Sequence, residues 1–178
     1  KKRGLNVTSE TCPHYLTINA QEAMTKHGAC AKIAPPLRTK KDNELLWEGL
    51  NNGSVDFIAT DHAPHTKEDK EKGAPGLSGI ETAFPVSYTT LVRSGKIDLM
   101  KLSKIMSANA GRIMNVKKGK IEKGYDGDIV LLDLNKEIIV DGEKFISKGK
   151  NTPFNGMKFY GEVVMTFKNG EVKYINKE

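Results

Sequence analysis

Hydrophobic positions fall into two regimes along the 178-residue chain. As far as about residue 115, short apolar runs alternate with stretches of helical spacing; beyond it, brief strand-like runs dominate. Residues 5 to 11, with Val7 and Thr8, read as a strand feeding the Cys12-Pro13 loop. Thr39 caps a helix with Asp42 three positions on, Leu45, Leu46, Trp47 and Leu50 give it an apolar side, and Asn52-Gly53 stops it. Val55 to Thr60 is a short, mostly apolar run between turn signals and predicts a buried strand, with Asp61 just past its end. A polar loop follows over 62 to 80, holding the charged run Lys67 to Lys72 and then Gly73-Ala74-Pro75-Gly76. Helices are predicted over 81 to 94 and 98 to 107, the second capped by Asp98, and a short third over 108 to 114.

After Val116, Ile129 to Leu132 and Ile138 to Val140 read as two strands, and Val163 to Phe167 pairs with Val172 to Ile175 through Asn169-Gly170. Asn-Gly between alternating runs is a strong hairpin signal, because both residues tolerate positive φ. The order of elements predicts an α/β region over 1–115 with parallel strands, then a small β region over 116–178.

Composition narrows the class. Hydrophobic residues make up 38% and charged residues 28%, as in an ordinary folded domain. The net charge of +6 comes from dispersed lysines, and at 7% aromatics there is no basic stripe interleaved with stacking rings, so no nucleic-acid partner is expected. No apolar run has membrane-spanning length, and Lys1-Lys2-Arg3-Gly4 has no hydrophobic stretch behind it, so neither a membrane nor a secretion signal is expected. Cys12 and Cys30 form no disulfide framework, which makes a reducing, cytoplasmic setting the default. The chain opens on Lys1 rather than methionine, and a partial sequence is expected.

The chemistry concentrates at Thr60-Asp61-His62-Ala63-Pro64-His65. A carboxylate at the end of a buried parallel strand lies where α/β barrels place catalytic groups. On pattern alone a loop-capping Asp61 with a merely hydrogen-bonded His62 stands level with a catalytic reading. Cys12-x-His14 and His27-x-x-Cys30 match no zinc-ribbon or finger spacing, so a self-contained structural zinc is not expected.

Five blocks decide between these readings. Glu10-Thr11-Cys12-Pro13-His14-Tyr15-Leu16, Ala34-Pro35-Pro36-Leu37-Arg38, Ile58 through His65, Gly79-Ile80-Glu81-Thr82-Ala83-Phe84-Pro85 and Ser147-Lys148-Gly149-Lys150-Asn151-Thr152-Pro153-Phe154 resemble, in order and spacing, the dihydroorotases of the cyclic amidohydrolase superfamily. The resemblance covers essentially the whole chain, as a C-terminal portion. It implies an α/β fold: about strands seven and eight of a (β/α)8 TIM-like metallo-hydrolase barrel over 1–115, and the C-terminal part of a small β-sandwich domain over 116–178.

The resemblance also implies zinc-dependent, reversible hydrolysis of dihydroorotate to N-carbamoyl-L-aspartate in pyrimidine biosynthesis. Asp61 matches the carboxylate that touches one of two zinc ions and acts as general base. His65 matches a residue that holds the substrate carboxylate, and Pro75 and Gly76 match a segment whose backbone binds the ring. The remaining metal ligands of the parent would lie outside this chain, which alone would be inactive. Ala34 stands where many members carry a substrate-contacting asparagine. Two rival readings are an allantoinase or hydantoinase-type enzyme and a non-catalytic, dihydroorotase-like partner. The partners implied are the small-molecule substrate, further copies of the chain, or another pyrimidine-pathway enzyme.

Overall fold

The computed structural model describes residues 1–177. Strand β1 (Glu10–Thr11) leads into α1 (Pro13–Thr17) and α2 (Ala20–Glu22), which continues through wider and tighter turns to Ala31. Helix α3 (Lys40–Asn52) crosses to β2 (Phe57–Ile58), and β1 and β2 pair in parallel, Glu10 opposite Phe57 and Thr11 opposite Ile58. Helices α4 (Lys67–Glu71) and α5 (Ala83–Ser87) follow, the latter prolonged over Tyr88–Arg93. Then α6 (Leu99–Ser103) runs through Lys104–Ala108 into α7 (Asn109–Ile113). Last come β3 (Ile129–Ile139), β4 (Lys158–Lys168) and β5 (Glu171–Ile175), an antiparallel sheet in the order β3-β4-β5.

Local chemistry accounts for the main boundaries. Thr39 Oγ1 accepts from the Asp42 N–H at 3.3 Å while the Asp42 carboxylate accepts from the Thr39 N–H at 2.9 Å, so two otherwise unpaired donors start α3. Gly53, with φ of 79°, ends it. Asp98 Oδ1 accepts from the Lys101 N–H at 2.6 Å and starts α6 as predicted. Asn169 and Gly170 adopt φ of 54° and 77°, the backbone required by the tight turn between β4 and β5.

Several predicted elements take other forms. The strand expected over 5 to 11 is a ladder only at Glu10–Thr11, and Leu5 and Val7 are exposed. The run 55 to 60 is likewise a ladder only at Phe57–Ile58, extended by bonds from Asp56 N–H to Ser9 O and from Ala59 N–H to Thr11 O, both 2.9 Å. Pro13 opens a helix instead of ending a loop, since a proline costs no hydrogen bond in a first turn. The 62 to 80 loop contains α4, started by a Thr66–Asp69 box of the same design as Thr39–Asp42. The helices predicted over 98 to 107 and 108 to 114 are one continuous helical run. The two strands predicted at 129 to 132 and 138 to 140 are one, β3, whose register shifts at Leu131/Leu132 and Asp133/Glu137 hid its continuity.

Two apolar clusters hold the molecule. One joins Ile18, Leu37, Leu77 and Val86 to Val140, Phe145, Phe154 and Phe159; the other joins Leu16, Leu50, Ile58, Leu91, Leu102 and Ile105, with Leu134 and Tyr160 packed against it. Both draw on residues from either side of position 116. Each fully buried leucine is worth about 2 kcal/mol of transfer free energy. The Arg93 guanidinium lies 3.6 Å from the Tyr160 ring centre, and Thr89 Oγ1 accepts from the Tyr160 N–H at 2.7 Å, which ties the sheet to the helices.

The β4–β5 turn rests on Asp128, which takes Lys118 Nζ at 2.5 Å, the Asn169 N–H at 2.9 Å and Lys168 Nζ at 3.0 Å. These partners hold its carboxyl well below the usual aspartate range. A depressed carboxyl adds stability above its unfolded value, near pH 4, and loses it as pH falls through the folded value. Asp128→Asn should therefore lower Tm at pH 7, and the gap from the parent should shrink toward pH 3, as thermal melts across that range will show.

Candidate active site

The chain leaving β2 turns sharply at Asp61, a non-glycine residue at φ of 47°. Its carboxylate is exposed and faces the segment leaving β1. There Cys12 and His14 are buried, and the ligand-capable atoms of Cys12, His14 and Asp61 all lie within 4.8 Å of one another. Parallel pairing of β1 with β2 makes this meeting, since both segments exit at the same end of the sheet.

Burial governs the two inner groups. His14 is 1% exposed, its Nε2 has no hydrogen-bond partner, and burial lowers its imidazole to about 4, leaving it neutral. The Cys12 thiol is pushed up to about 12 by burial, then by the charges of Asp61 and Glu10, so it stays protonated. A carboxylate and a neutral imidazole with an unpartnered nitrogen are groups a zinc ion can use, whereas a protonated thiol is not. Two such groups fall short of the three or four that a zinc ion takes, and among the described residues no other such cluster occurs.

The loop after Asp61 builds a second wall. His62 turns inward: its Nδ1 accepts from the Gly79 N–H at 3.2 Å and the Ile80 N–H at 3.4 Å, and it pairs with Leu77 in a parallel bridge. This is the bonded, structural histidine that the bland reading of the motif anticipates. His65 is half-buried and Gly76 buried, and they touch: a Cβ on Gly76 would lie 2.9 Å from His65 Cδ2 and 2.6 Å from Ala63 O. With φ of 139° as well, Gly76 has no room for a side chain. Pro75, beside it, is exposed.

The Ser147–Phe154 block backs this wall. Ser78 Oγ donates to Gly149 O at 2.5 Å and Ser78 N–H to Asn151 O at 2.8 Å. Gly149 lies against Pro64 and the His65 nitrogen, where a Cβ would come to 2.6 Å from Pro64 Cβ and 2.8 Å from the His65 nitrogen. The Glu81 carboxylate accepts from Ile146 and Ser147 N–H at 3.0 and 3.1 Å. Asn151 Oδ1 accepts from the His65 N–H at 3.3 Å. Glu81 and Asn151 stand in two of the resembling blocks, but these contacts have no local signal in the sequence.

Comparison with known proteins identifies the family and the fold. The model of the amidohydrolase family matches residues 4–173. A dihydroorotase from Clostridium botulinum (strain Eklund 17B / Type B) is 47% identical over 174 residues, covering 98% of this chain and 42% of that protein. A dihydroorotase from Acetivibrio thermocellus is 45% identical, covering 97% and 41%. Among solved structures, a dihydropyrimidinase from Brevibacillus agri NCHU1002 superposes with a TM-score of 0.91 at 31% identity, covering 99% of this chain and 41% of that one. An L-hydantoinase (dihydropyrimidinase) from Arthrobacter aurescens gives 0.89 at 33%, covering 99% and 42%. The chain thus spans about two fifths of the length of the relatives it matches. On these matches, and with an α/β fold that superposes on theirs almost throughout, the chain belongs to the amidohydrolase family.

Proposed function

We propose that this chain is the C-terminal part of a dihydroorotase, and that the complete protein interconverts dihydroorotate and N-carbamoyl-L-aspartate in pyrimidine biosynthesis. The observation that carries the reading is Asp61, an exposed carboxylate just past a parallel strand end, with His65 and Gly76 in contact on the loop that follows. The 43–48% identity to dihydroorotases supports it. On this reading β1 and β2 belong to barrel strands seven and eight, residues 1–115 to the barrel and 116–178 to the small β-sandwich domain. The two free cysteines support a reducing, cytoplasmic setting.

Zinc, two ions in the complete protein on this reading, would be held on this chain by Asp61 and would supply a water of lowered pKa and polarisation of the ring carbonyl. Asp61 takes a proton from the attacking water and hands it to the departing ring nitrogen, which suits a carboxylate within hydrogen-bond reach of both. His65 donates to the substrate carboxylate, and the backbone at Pro75 and Gly76 binds the ring amide edge. The remaining metal ligands lie on parts of the protein outside this chain, so the chain alone is inactive.

Superposition on a hydantoinase and a dihydropyrimidinase favours, as a second reading, a hydantoinase-type amidohydrolase. Assaying the full-length protein with dihydroorotate, allantoin and hydantoin separates the two. Turnover of dihydroorotate is expected; inert dihydroorotate with turnover of either other ring would refute the proposal.

A further inference from the structure

The loop after Asp61 closes around a buried ammonium. Lys70 lies on α4 among exposed charged neighbours, yet it is itself only 4% exposed. Its Nζ donates to three carbonyls, Lys32 O at 2.8 Å, Gly76 O at 2.8 Å and Ala74 O at 2.9 Å. An ammonium has three donors and no acceptor, so these bonds satisfy it completely. Among the described residues no carboxylate pairs with it, and burial holds its pKa below the ordinary lysine value. Burying a cation without a counter-ion is a costly way to stabilise a loop; what it secures is geometry.

That geometry belongs to the His65–Gly76 wall. Gly76 O accepts from Asn151 Nδ2 at 3.0 Å as well as from Lys70, and Gly76 N–H donates to Lys32 O at 3.0 Å. Asn151 Oδ1 in turn accepts from the His65 N–H. Asn151 therefore bonds the backbones of both wall residues, and Lys70 bonds that of Gly76. We propose that Lys70 and Asn151 are positioning residues that hold the Gly76 and His65 backbones in register for the ring and the carboxylate of the substrate; this rests on the substrate role assigned to that wall above. Neither side chain touches substrate. Asp61 hangs from β2, outside the clamp, so loosening the clamp impairs binding more than proton transfer.

The test is steady-state kinetics of dihydroorotate hydrolysis by the full-length, zinc-loaded protein and its Lys70→Met, Asn151→Ala and His65→Ala variants. Wild-type turnover is the control for the function itself, and its absence would overturn that reading. Lys70→Met and Asn151→Ala are each expected to raise KM about tenfold with kcat within about twofold. A purely structural role would reduce the folded fraction and leave the KM of what remains unchanged. If Lys70→Met does not fold, Asn151→Ala carries the test, since it leaves the three bonds of the Lys70 ammonium in place. Raised KM in His65→Ala with unchanged KM in every folded clamp variant overturns the clamp alone. Unchanged KM in His65→Ala overturns both the clamp and the substrate role of the wall.

Discussion

Asp61→Asn in the full-length protein is expected to lower kcat for dihydroorotate hydrolysis about 10³-fold, with KM changing only a few-fold. Asparagine matches aspartate in shape and, like it, tolerates the positive φ found at this position, so the turn survives the change. What the amide cannot do is accept a proton from water and release it to a leaving nitrogen. The carboxylate is exposed and takes part in no ion pair among the described residues, so the substitution breaks no packing. Steady-state kinetics beside a thermal melt check both halves of the claim. A loss confined to KM would make Asp61 a binding group, and a collapse of Tm would make it a structural one.

The second large effect concerns folding. Phe154→Ala should destabilise the protein by about 3–5 kcal/mol, the usual cost of removing a buried aromatic ring and leaving a cavity. Phe154 is 1% exposed and meets Phe159 edge to face, with ring centres 5.5 Å apart. It packs in the cluster that holds Leu77 and Val86 from the first half of the chain together with Val140 and Phe145 from the second. The segment it anchors also carries Gly149 and Asn151 onto the loop with His65. Urea unfolding should show the loss, and at about 2–4 °C per kcal/mol the melt should fall by about 6–20 °C. A change below about 1 kcal/mol would mean that Phe154 does not join the two halves.

How far the molecule is legible in its sequence depends on how local each cause is. The start of α3 at Thr39, the cap at Asp98 and the Asn169-Gly170 turn follow from neighbouring residues, and all three form as expected. β3 escaped because polar residues between Asp133 and Glu137 break the alternation where the strand bulges and Asp133 Oδ1 accepts from Asn135 and Lys136 N–H. α4 escaped because a charged stretch with no apolar face shows no helical period, although its Thr66–Asp69 box is visible once α3 is understood.

The site divides in the same way. Asp61 was legible from the strand end before it and, with His65 and Gly76, from the five-block resemblance. The approach of Cys12 and His14 to Asp61 was not, because it depends on pairing between strands separated by all of α3. Lys70 gave no signal either: a lysine satisfied by three backbone carbonyls has no partner side chain to look for. What the structure adds to the resemblance is this support, by which the Ser147–Phe154 block fixes the loop after Asp61.

The central claim is that this loop reads a ring bearing a carboxylate. The direct measurement is the ratio of kcat/KM for dihydroorotate to that for dihydrouracil, the same ring without the carboxylate, with the full-length protein. A site built to bond that group should reject the ring lacking it by about 10²-fold or more. Equal or faster hydrolysis of dihydrouracil would contradict the account and place the protein with the hydantoinase-type members of its family.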